Sequence, residues 1–196
     1  MKSLVLFLCF VSPFIASAQK FESLFNGKDL FGWKINGNEK WYVENGEIVG
    51  ESGPDKGFGY LTTDKKYKNF ILDAHFFLEK EGNSGVFFRS NVEGVIIDGW
   101  QVEVQGPNTG GIYESYARGW LCQPAEKVKS MLKPNAWNYL RIYVNGDTVT
   151  DWLNGRQMCE VHDKQIEAGD GIIALQIHHD GGVKVRWKDI RIRELK

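Results

Sequence analysis

Short runs of alternating apolar and polar residues, separated by tight-turn dipeptides, are the feature that most restricts how this chain can fold. Asn45-Gly46 separates residues 41–43 from residues 47–49, which is typical of a β-hairpin closed by a two-residue turn. Strands joined by such turns pair with their chain neighbours in antiparallel fashion. The same pattern recurs in the second half of the chain and predicts a meander of three strands, at residues 138–144, 148–153 and 157–161.

Five more strands are predicted, and one short helix. The helix candidate is residues 125–132, which ends before Pro134 and is too short to make this an α/β protein. Ten to twelve strands in one domain require a two-sheet sandwich or a barrel. We therefore predict an all-β fold, a two-sheet antiparallel β-sandwich of one domain over residues 19–196. The further strands are expected at residues 70–79, 85–89, 100–105, 171–178 and 183–193.

The first 18 residues are predicted to be a signal peptide. Lys2 is followed by an apolar stretch and then by Ala16-Ser17-Ala18, which is the order of features that signal peptidase recognises. A membrane anchor is the alternative, but Ser12 and Pro13 interrupt the apolar run before it reaches the roughly 20 residues that a bilayer requires. We expect a secreted or periplasmic protein, cleaved after Ala18.

The charge balance excludes several classes of partner. The chain has 24 basic and 25 acidic residues, so its net charge is −1. Binding to nucleic acid or to an anionic membrane surface requires clustered basic residues, and the chain has no such cluster. Nothing in the sequence indicates stable membrane insertion or an obligate protein partner.

Two cysteines, Cys122 and Cys159, remain after the predicted cleavage. A disulfide can form in an oxidising compartment, but it requires Cα atoms within about 7 Å, and the sequence does not give their separation. We expect two half-buried free thiols. Neither cysteine has a CxxC partner, so we do not expect a zinc site.

Several predicted strands carry hydrogen-bonding side chains on one face. Alternate residues of a strand point to opposite sides, so Trp100, Val102 and Val104 form one face and the polar residues between them form the other. An ordinary solvated face is the alternative to a binding surface. Amide, carboxylate and guanidinium groups together suit a ligand with many hydroxyls. On these strands the polar face comprises Arg89, Gln101, Glu103, Gln105, Gln176 and His178.

The segment 109–120 is rich in both glycine and aromatic residues. It has too many glycines for a core strand and too many aromatic residues for a plain solvated loop, so we interpret it as an aromatic loop. Tyr113 and Trp120 are candidate platforms for a sugar ring, although each could equally cap the end of the sandwich.

Metal sites are weakly indicated. His178 and His179 would point to opposite faces of a strand and so could not hold one metal ion together. Asp55, Asp98 and Asp180 are candidate ligands of a structural calcium ion, although no spaced calcium-binding loop is present. No cofactor is firmly predicted.

A set of motifs distributed over nearly the whole chain resembles the 3-keto-disaccharide hydrolase domain family. The resemblance implies a concanavalin A-like jelly roll and activity on sugars already oxidised to a ketone at C3. The matching segments, in chain order, are residues 21–33, 83–89, 103–105, 109–113, 137–138, 152–155, 171–178 and 189–192.

The implied reaction is the hydrolysis of a 3-keto-glycoside by elimination and hydration. A ketone at C3 acidifies the hydrogen on C2, so the bond to the leaving group at C1 breaks by β-elimination and water then adds to the enone. Such a route requires a base, a group that stabilises the enolate and an acid. We assign Glu103 as the base, Arg89 as the group that stabilises the enolate and His178 as the proton donor or a second base, and the three residues could exchange these roles. Four amides would orient hydroxyls: Asn83, Gln101, Gln105 and Gln176.

The sequence leaves three alternatives to this mechanism and function open. A divalent metal held by Glu103 and His178 could replace Arg89 as the electrophile. The domain could instead be a non-catalytic carbohydrate-binding module. It could also be an ordinary glycoside hydrolase in which Glu103 acts with a second carboxylate, Glu79 or Asp73.

Overall fold

The computed structural model describes residues 20–80, 82–179 and 181–196, and the predicted signal peptide lies outside these ranges. Almost all of the regular structure is β-strand. One short α-helix, α1 (Lys164–Ala168), and two 3₁₀ turns, Gly106–Asn108 and Glu126–Met131, complete it. The strands are β1 (Glu22–Ser23), β2 (Trp33–Asn36), β3 (Lys40–Glu44), β4 (Glu47–Glu51), β5 (Gly59–Thr63), β6 (Phe70–Lys80), β7 (Ser84–Glu93), β8 (Ile96–Val104), β9 (Ile112–Ser115), β10 (Gly119–Cys122), β11 (Asn138–Asn145), β12 (Thr148–Leu153), β13 (Arg156–His162), β14 (Ile172–Ile177) and β15 (Lys184–Glu194).

The strands form two antiparallel sheets, which confirms the predicted β-sandwich of the jelly-roll type. The eight-stranded sheet has the order β13-β12-β11-β6-β15-β4-β3, and β1 pairs with β15. The seven-stranded sheet has the order β10-β9-β8-β7-β14-β5-β2. The predicted meander is present as β11, β12 and β13. At the Asn45-Gly46 turn both residues have positive φ, 54° and 78°, as a type I′ hairpin requires.

The core lies between the two sheets and follows the predicted alternation. Trp100, Val102 and Val104 of β8 are buried in it, as are Phe76 of β6 and Trp187 of β15. Burial of large side chains from both sheets is what holds the layers together. Among the described residues, no helix has the length and apolar character needed to cross a bilayer.

Three local expectations were wrong. The helix candidate at residues 125–132 is only a 3₁₀ turn, while α1 was not predicted. The aromatic segment 109–120 contains β9 and the start of the edge strand β10, because the sheet accepts glycines at its edge and in turns. Cys122 and Cys159 are not free thiols but form a disulfide with a Cα–Cα distance of 6.1 Å.

The disulfide depends on how the sheets are stacked. Cys122 lies on β10 and Cys159 on β13, and these are edge strands at the same side of the sandwich, one in each sheet. Their proximity follows from the stacking of two separately paired sheets, which residue spacing does not reveal. The bridge therefore ties the two layers together at this edge.

Candidate functional site

A cavity of about 470 Å³ lies on the outer face of the seven-stranded sheet. Its floor is formed by outward-facing side chains of β8, β14 and β5, and its walls by β9, β10 and the segments that flank β5, β7 and β14. A space of this volume is in the range of small-molecule sites in proteins. The lining residues are Phe58, Tyr60, Asn83, Gln101, Glu103, Tyr113, Ser115, Tyr116, Trp120, Gln176, His178 and His179.

A row of polar side chains crosses the floor from β8 to β14. Gly85, on the intervening strand β7, has no side chain and so leaves room for them. Glu103 on β8 lies opposite Gly85 on β7, which in turn lies opposite Gln176 on β14. A Cβ on Gly85 would lie 2.2 Å from Gln101 Nε2, so the absence of a side chain there gives the Gln101 amide its space. The amide donates to Glu103 Oε2 at 3.0 Å and to Gln176 Oε1 at 2.8 Å. Gln176 also hydrogen-bonds to the hydroxyl of Tyr60.

Glu103 is the carboxylate on this floor, and it is only 4% exposed. Burial raises its pKa to about 8, although the Asn83 amide acts in the opposite direction. No Lys or Arg is among the described residues that line the cavity, so no cation there offsets the effect of burial. Oε1 of Glu103 is buried and has no hydrogen-bond partner in the described part of the chain. Such a carboxyl group is largely protonated at neutral pH and is suited to proton transfer.

Aromatic rings form the two walls. Tyr113 and Trp120 meet edge to face with centroids 5.2 Å apart, and Tyr116 beside them is 67% exposed. On the opposite wall Phe58 contacts the rings of His178 and His179, at 4.8 and 4.6 Å. Rings that stand at a cavity mouth offer apolar surface to the C–H faces of a sugar.

The tip of the β7–β8 hairpin covers the rest of this sheet face. Ile97 is buried in a small cluster with Tyr60, Phe87 and Ala174. Val95 packs against the chain at Gly37, just beyond the edge strand β2, so the tip crosses β14 and β5. The outer face is therefore divided into an apolar part under the hairpin and a polar part that remains open as the cavity.

Arg89 does not lie in the cavity, contrary to the prediction. The pairing of β7 with β8 shifts register after Phe88, and Arg89 itself has a positive φ of 47°. A bulge of this kind redirects the side chain and breaks the alternation. The Arg89 guanidinium is buried and donates to the carbonyl oxygens of Lys68, Gly146 and Ile166 and to Asn69 Oδ1. It ties loops together at the end of the sandwich.

Gln105 is also outside the cavity. β8 ends at Val104 and a 3₁₀ turn begins at Gly106, so the alternation of the strand stops before Gln105. Gln105 lines a different depression, with Pro107, Lys129 and Lys133 among its neighbours.

The carboxylates that could have formed a pair with Glu103 lie on the other sheet. Asp73 and Glu79 are on the outer face of β6, in the eight-stranded sheet. Asp73 is bonded to Arg141, and Glu79 to Arg186 and Lys184. The proposed pairing of Glu103 with either of them is therefore wrong.

The remaining predicted residues line one cavity, and several others that were not predicted join them. Asn83, Gln101, Glu103, Tyr113, Trp120, Gln176 and His178 all line it. Phe58, Tyr60, Ser115, Tyr116 and His179 were missed. Tyr60 lies in β5, where all five residues are buried, so no alternation marked the strand. The one available signal was the aromatic and β-branched composition of residues 60–63.

One ring nitrogen of His178 contacts a backbone carbonyl oxygen. Its Nδ1 lies 3.1 Å from the carbonyl oxygen of His179, which can only accept, so Nδ1 carries a proton. In the neutral ring the lone pair is then on Nε2. Within the described residues no group of three His, Cys, Asp or Glu side chains is arranged to hold a metal ion.

Comparison with known proteins identifies the family of this chain. A family described as "3-keto-alpha-glucoside-1,2-lyase-like domain" matches residues 20–193. A 3-keto-disaccharide hydrolase of Bacteroides thetaiotaomicron is 34% identical over 80 residues. That alignment covers 36% of this chain and 28% of the Bacteroides protein, so it spans less than a third of the relative's length.

Solved structures share the fold. A candidate glycosyl hydrolase of Parabacteroides distasonis superimposes with a TM-score of 0.67 at 24% identity, covering 90% of this chain and 94% of the other. A Bacillus subtilis protein of unknown function with a galectin-like fold gives a TM-score of 0.71 at 12% identity, over 89% and 94% of the two chains. A carbohydrate-binding module, also of Bacillus subtilis, gives 0.62 at 15% identity, over 83% and 96%. These likenesses establish the jelly-roll architecture, and the match over residues 20–193 shows that the chain belongs to the 3-keto-alpha-glucoside-1,2-lyase-like domain family.

Proposed function

We propose that this protein cleaves the glycosidic bond of sugars that carry a ketone at C3, with Glu103 as the group that moves the proton. The observation that carries the proposal is a buried carboxyl of raised pKa on the floor of an otherwise neutral, amide-lined cavity. A carboxylate with a pKa of about 8 is a stronger base than an ordinary glutamate. Removing a proton from carbon next to a ketone requires such a base.

The reaction proceeds in two stages. Ionised Glu103 takes the proton from C2, and the electron pair forms the C1=C2 bond as the bond from C1 to the leaving oxygen breaks. The leaving oxygen takes up a proton, from Glu103 or from protonated His178, and departs as an alcohol. Water then adds at C1 and a proton returns to C2, so that the net change is hydrolysis.

Neutral donors take the place of the misassigned Arg89. The side chains of Asn83 and Gln176 supply N–H groups to the cavity and can bind ligand oxygens without a charged partner, whereas both N–H groups of Gln101 are used within the floor. The Tyr60 hydroxyl, whose pKa burial raises, remains protonated at neutral pH.

Two ligands of the alternative metal centre, Glu103 and His178, line the same cavity. Added Mn²⁺ or Zn²⁺, assayed against EDTA-treated protein, tests that alternative.

The number of carboxylates in the cavity favours elimination from a 3-keto sugar over ordinary glycoside hydrolysis. Ordinary glycosidases use two carboxyl groups, on opposite sides of the scissile bond. Of the described residues that line this cavity, only Glu103 is a carboxylate. The elimination route requires no second one.

The decisive experiment compares Glu103→Gln with Glu93→Gln on a chromogenic 3-keto-glucoside and on the matching unoxidised glucoside. Glu93 is an exposed carboxylate at the end of β7, so its substitution controls for a change of charge. We expect Glu103→Gln to lower turnover of the keto substrate roughly 10²- to 10⁴-fold, the usual contribution of a general base. Glu93→Gln should retain wild-type turnover. Full activity in Glu103→Gln would refute the assignment.

A carbohydrate-binding module is the second candidate, favoured by the aromatic wall of Tyr113 and Trp120. It predicts saturable binding of an unoxidised glycan and no cleavage of either substrate. Calorimetric titration with the same sugars measures binding, and release of the chromogenic group measures cleavage. Cleavage of the keto sugar supports the enzyme, whereas binding of the unoxidised sugar without cleavage of either supports the binding module.

A further inference from the structure

A second group of oxygen atoms lies outside the cavity, where the β2–β3 connection meets the β4–β5 connection. Glu39, immediately before β3, is only 3% exposed, and its Oε2 accepts a hydrogen bond from the Gly53 backbone N–H. Its other oxygen, Oε1, is buried and finds no hydrogen-bond partner among the described residues. An uncompensated buried carboxylate is costly, so this oxygen indicates a missing positive ligand.

Two further oxygen donors face the same small space. A Cβ on Gly53 would lie 3.0 Å from the Asn38 carbonyl oxygen, 3.3 Å from Asp55 Oδ1 and 3.3 Å from Glu39 Oε2. A Cβ on Gly57 would lie 3.8 Å from both Glu39 Oε1 and Asp55 Oδ2. Oxygens of both carboxylates therefore lie beside the same two glycines, which have no side chains to occupy the space between them.

We infer that Glu39, Asp55 and the Asn38 carbonyl bind a calcium ion. Calcium prefers carboxylate and carbonyl oxygens in an irregular arrangement and completes its shell with water. Two carboxylates make a weak site, with a dissociation constant on the order of 10⁻⁴ to 10⁻³ M, the range typical of weak calcium-binding modules. Magnesium is a poorer fit because it demands near-ideal octahedral geometry and gives up water reluctantly.

The position of the site suggests what the ion does. Residues 52–58 connect β4 to β5 and end at Phe58, which forms one wall of the cavity beside His178. Asn38 Nδ2 already donates to Asp55 Oδ2 at 2.9 Å across the base of this loop. A calcium ion would join the same two segments more firmly and hold the Phe58 wall in place.

Only one of the acidic residues that the sequence suggested for calcium belongs to this group. Asp55 does, whereas Asp98 accepts from the backbone N–H of Asn91 at 3.0 Å in the β7–β8 hairpin, and Asp180 lies outside the described residues. Asp98→Asn is therefore a matched control. The sequence did not suggest Glu39, because its burial depends on tertiary packing.

The test measures thermal unfolding and calorimetric titration of EGTA-treated protein with CaCl₂ and, separately, with MgCl₂. We expect one calcium site and a rise in Tm of roughly 3 to 7 °C at about 10 mM calcium, with a smaller effect of magnesium. Asp55→Asn should lose this rise, and Asp98→Asn should keep it. Glu39→Gln should lose the rise in Tm as well. Because Glu39 is buried, this variant could fail to fold, and the result for the exposed Asp55 then decides the test. A wild-type Tm that does not respond to calcium, or a response retained in Asp55→Asn, would overturn the inference.

Discussion

Two buried carboxyl groups, one on the outer face of each sheet, have pKa values shifted in opposite directions. Glu103 on the seven-stranded sheet has amide neighbours, and burial raises its pKa to about 8. Asp73 on the eight-stranded sheet is buried as well, which alone would raise its pKa, but hydrogen bonds from Arg141 and Tyr139 lower it overall. The two faces therefore differ in the charge partners they supply rather than in the depth of burial.

The contacts of Asp73 explain why it is structural. Arg141 bonds both of its oxygens, at 2.7 and 2.9 Å, Tyr139 donates at 2.7 Å, and Arg191 lies 3.1 Å away. With its oxygens occupied in this way, the carboxylate cannot accept a substrate proton. Glu103 instead accepts from the neutral Gln101 amide at Oε2, and its Oε1 is buried with no hydrogen-bond partner among the described residues.

The largest effect expected from this contrast is on the pH dependence of stability. Between its ordinary pKa of 4.5 and its folded value of about 8, Glu103 is protonated in the folded protein and ionised in the unfolded chain. Its contribution to the free energy of unfolding therefore falls as pH rises from about 5 to 8, by up to about 1.4 kcal/mol per pH unit. Urea unfolding at several pH values should show that Glu103→Gln removes this slope.

Asp73→Asn is the control for that measurement. The pKa of Asp73 is lowered, so Asp73 stabilises the fold above its ordinary pKa of 3.8 and loses this contribution only as pH falls further. The slope between pH 5 and 8 should be the same as in the wild type. A slope that is equal in wild type and Glu103→Gln would contradict the raised pKa.

The same Asp73→Asn variant should be less stable at every pH in this range. It leaves Arg141 and Arg191 with a neutral partner, and because both arginines are partly exposed they can regain water. We expect a loss of roughly 1 to 3 kcal/mol in the free energy of unfolding, with unchanged turnover of a 3-keto-glucoside. A loss of turnover without a loss of stability would mean that the two faces are coupled.

Activity should report the ionisation of Glu103 directly. If Glu103 acts as the base, kcat/KM on a 3-keto-glucoside rises with pH and levels off above about 8. A profile that instead falls through this pH would assign Glu103 as the acid in the first step. Initial rates from pH 5.5 to 9.5 distinguish the two roles.

Gly85→Ala should give the smallest effect, and one confined to the cavity face. The new methyl group would meet the Gln101 amide, which is the flexible end of a side chain and can move away. We expect stability to fall by only about 1 kcal/mol and kcat/KM to fall roughly tenfold, because the Gln101 bridge between Glu103 and Gln176 is lost. Ser84 is the neighbouring buried position in β7, and Ser84→Ala should affect stability without this loss of activity.

Strand parity predicted the cavity floor where the strands are regular. Gln101, Glu103 and Gln176 lie in uninterrupted stretches of β8 and β14, so alternation was enough to assign them to one face. Parity failed for Arg89, which lies at a bulge, and for Gln105, which lies beyond the end of β8. The hydrophobic pattern of the sequence reveals neither the bulge nor the end of the strand.

The sequence by itself determined the β-sandwich, its tight turns and the polar identity of one sheet face, because these depend on residue type and on a period of two. Only the tertiary structure decided the Cys122–Cys159 bridge, the hairpin that covers part of that face, and the opposite environments of Glu103 and Asp73. A pKa depends on which groups packing brings within hydrogen-bonding distance, and those partners come from strands that are distant in the chain.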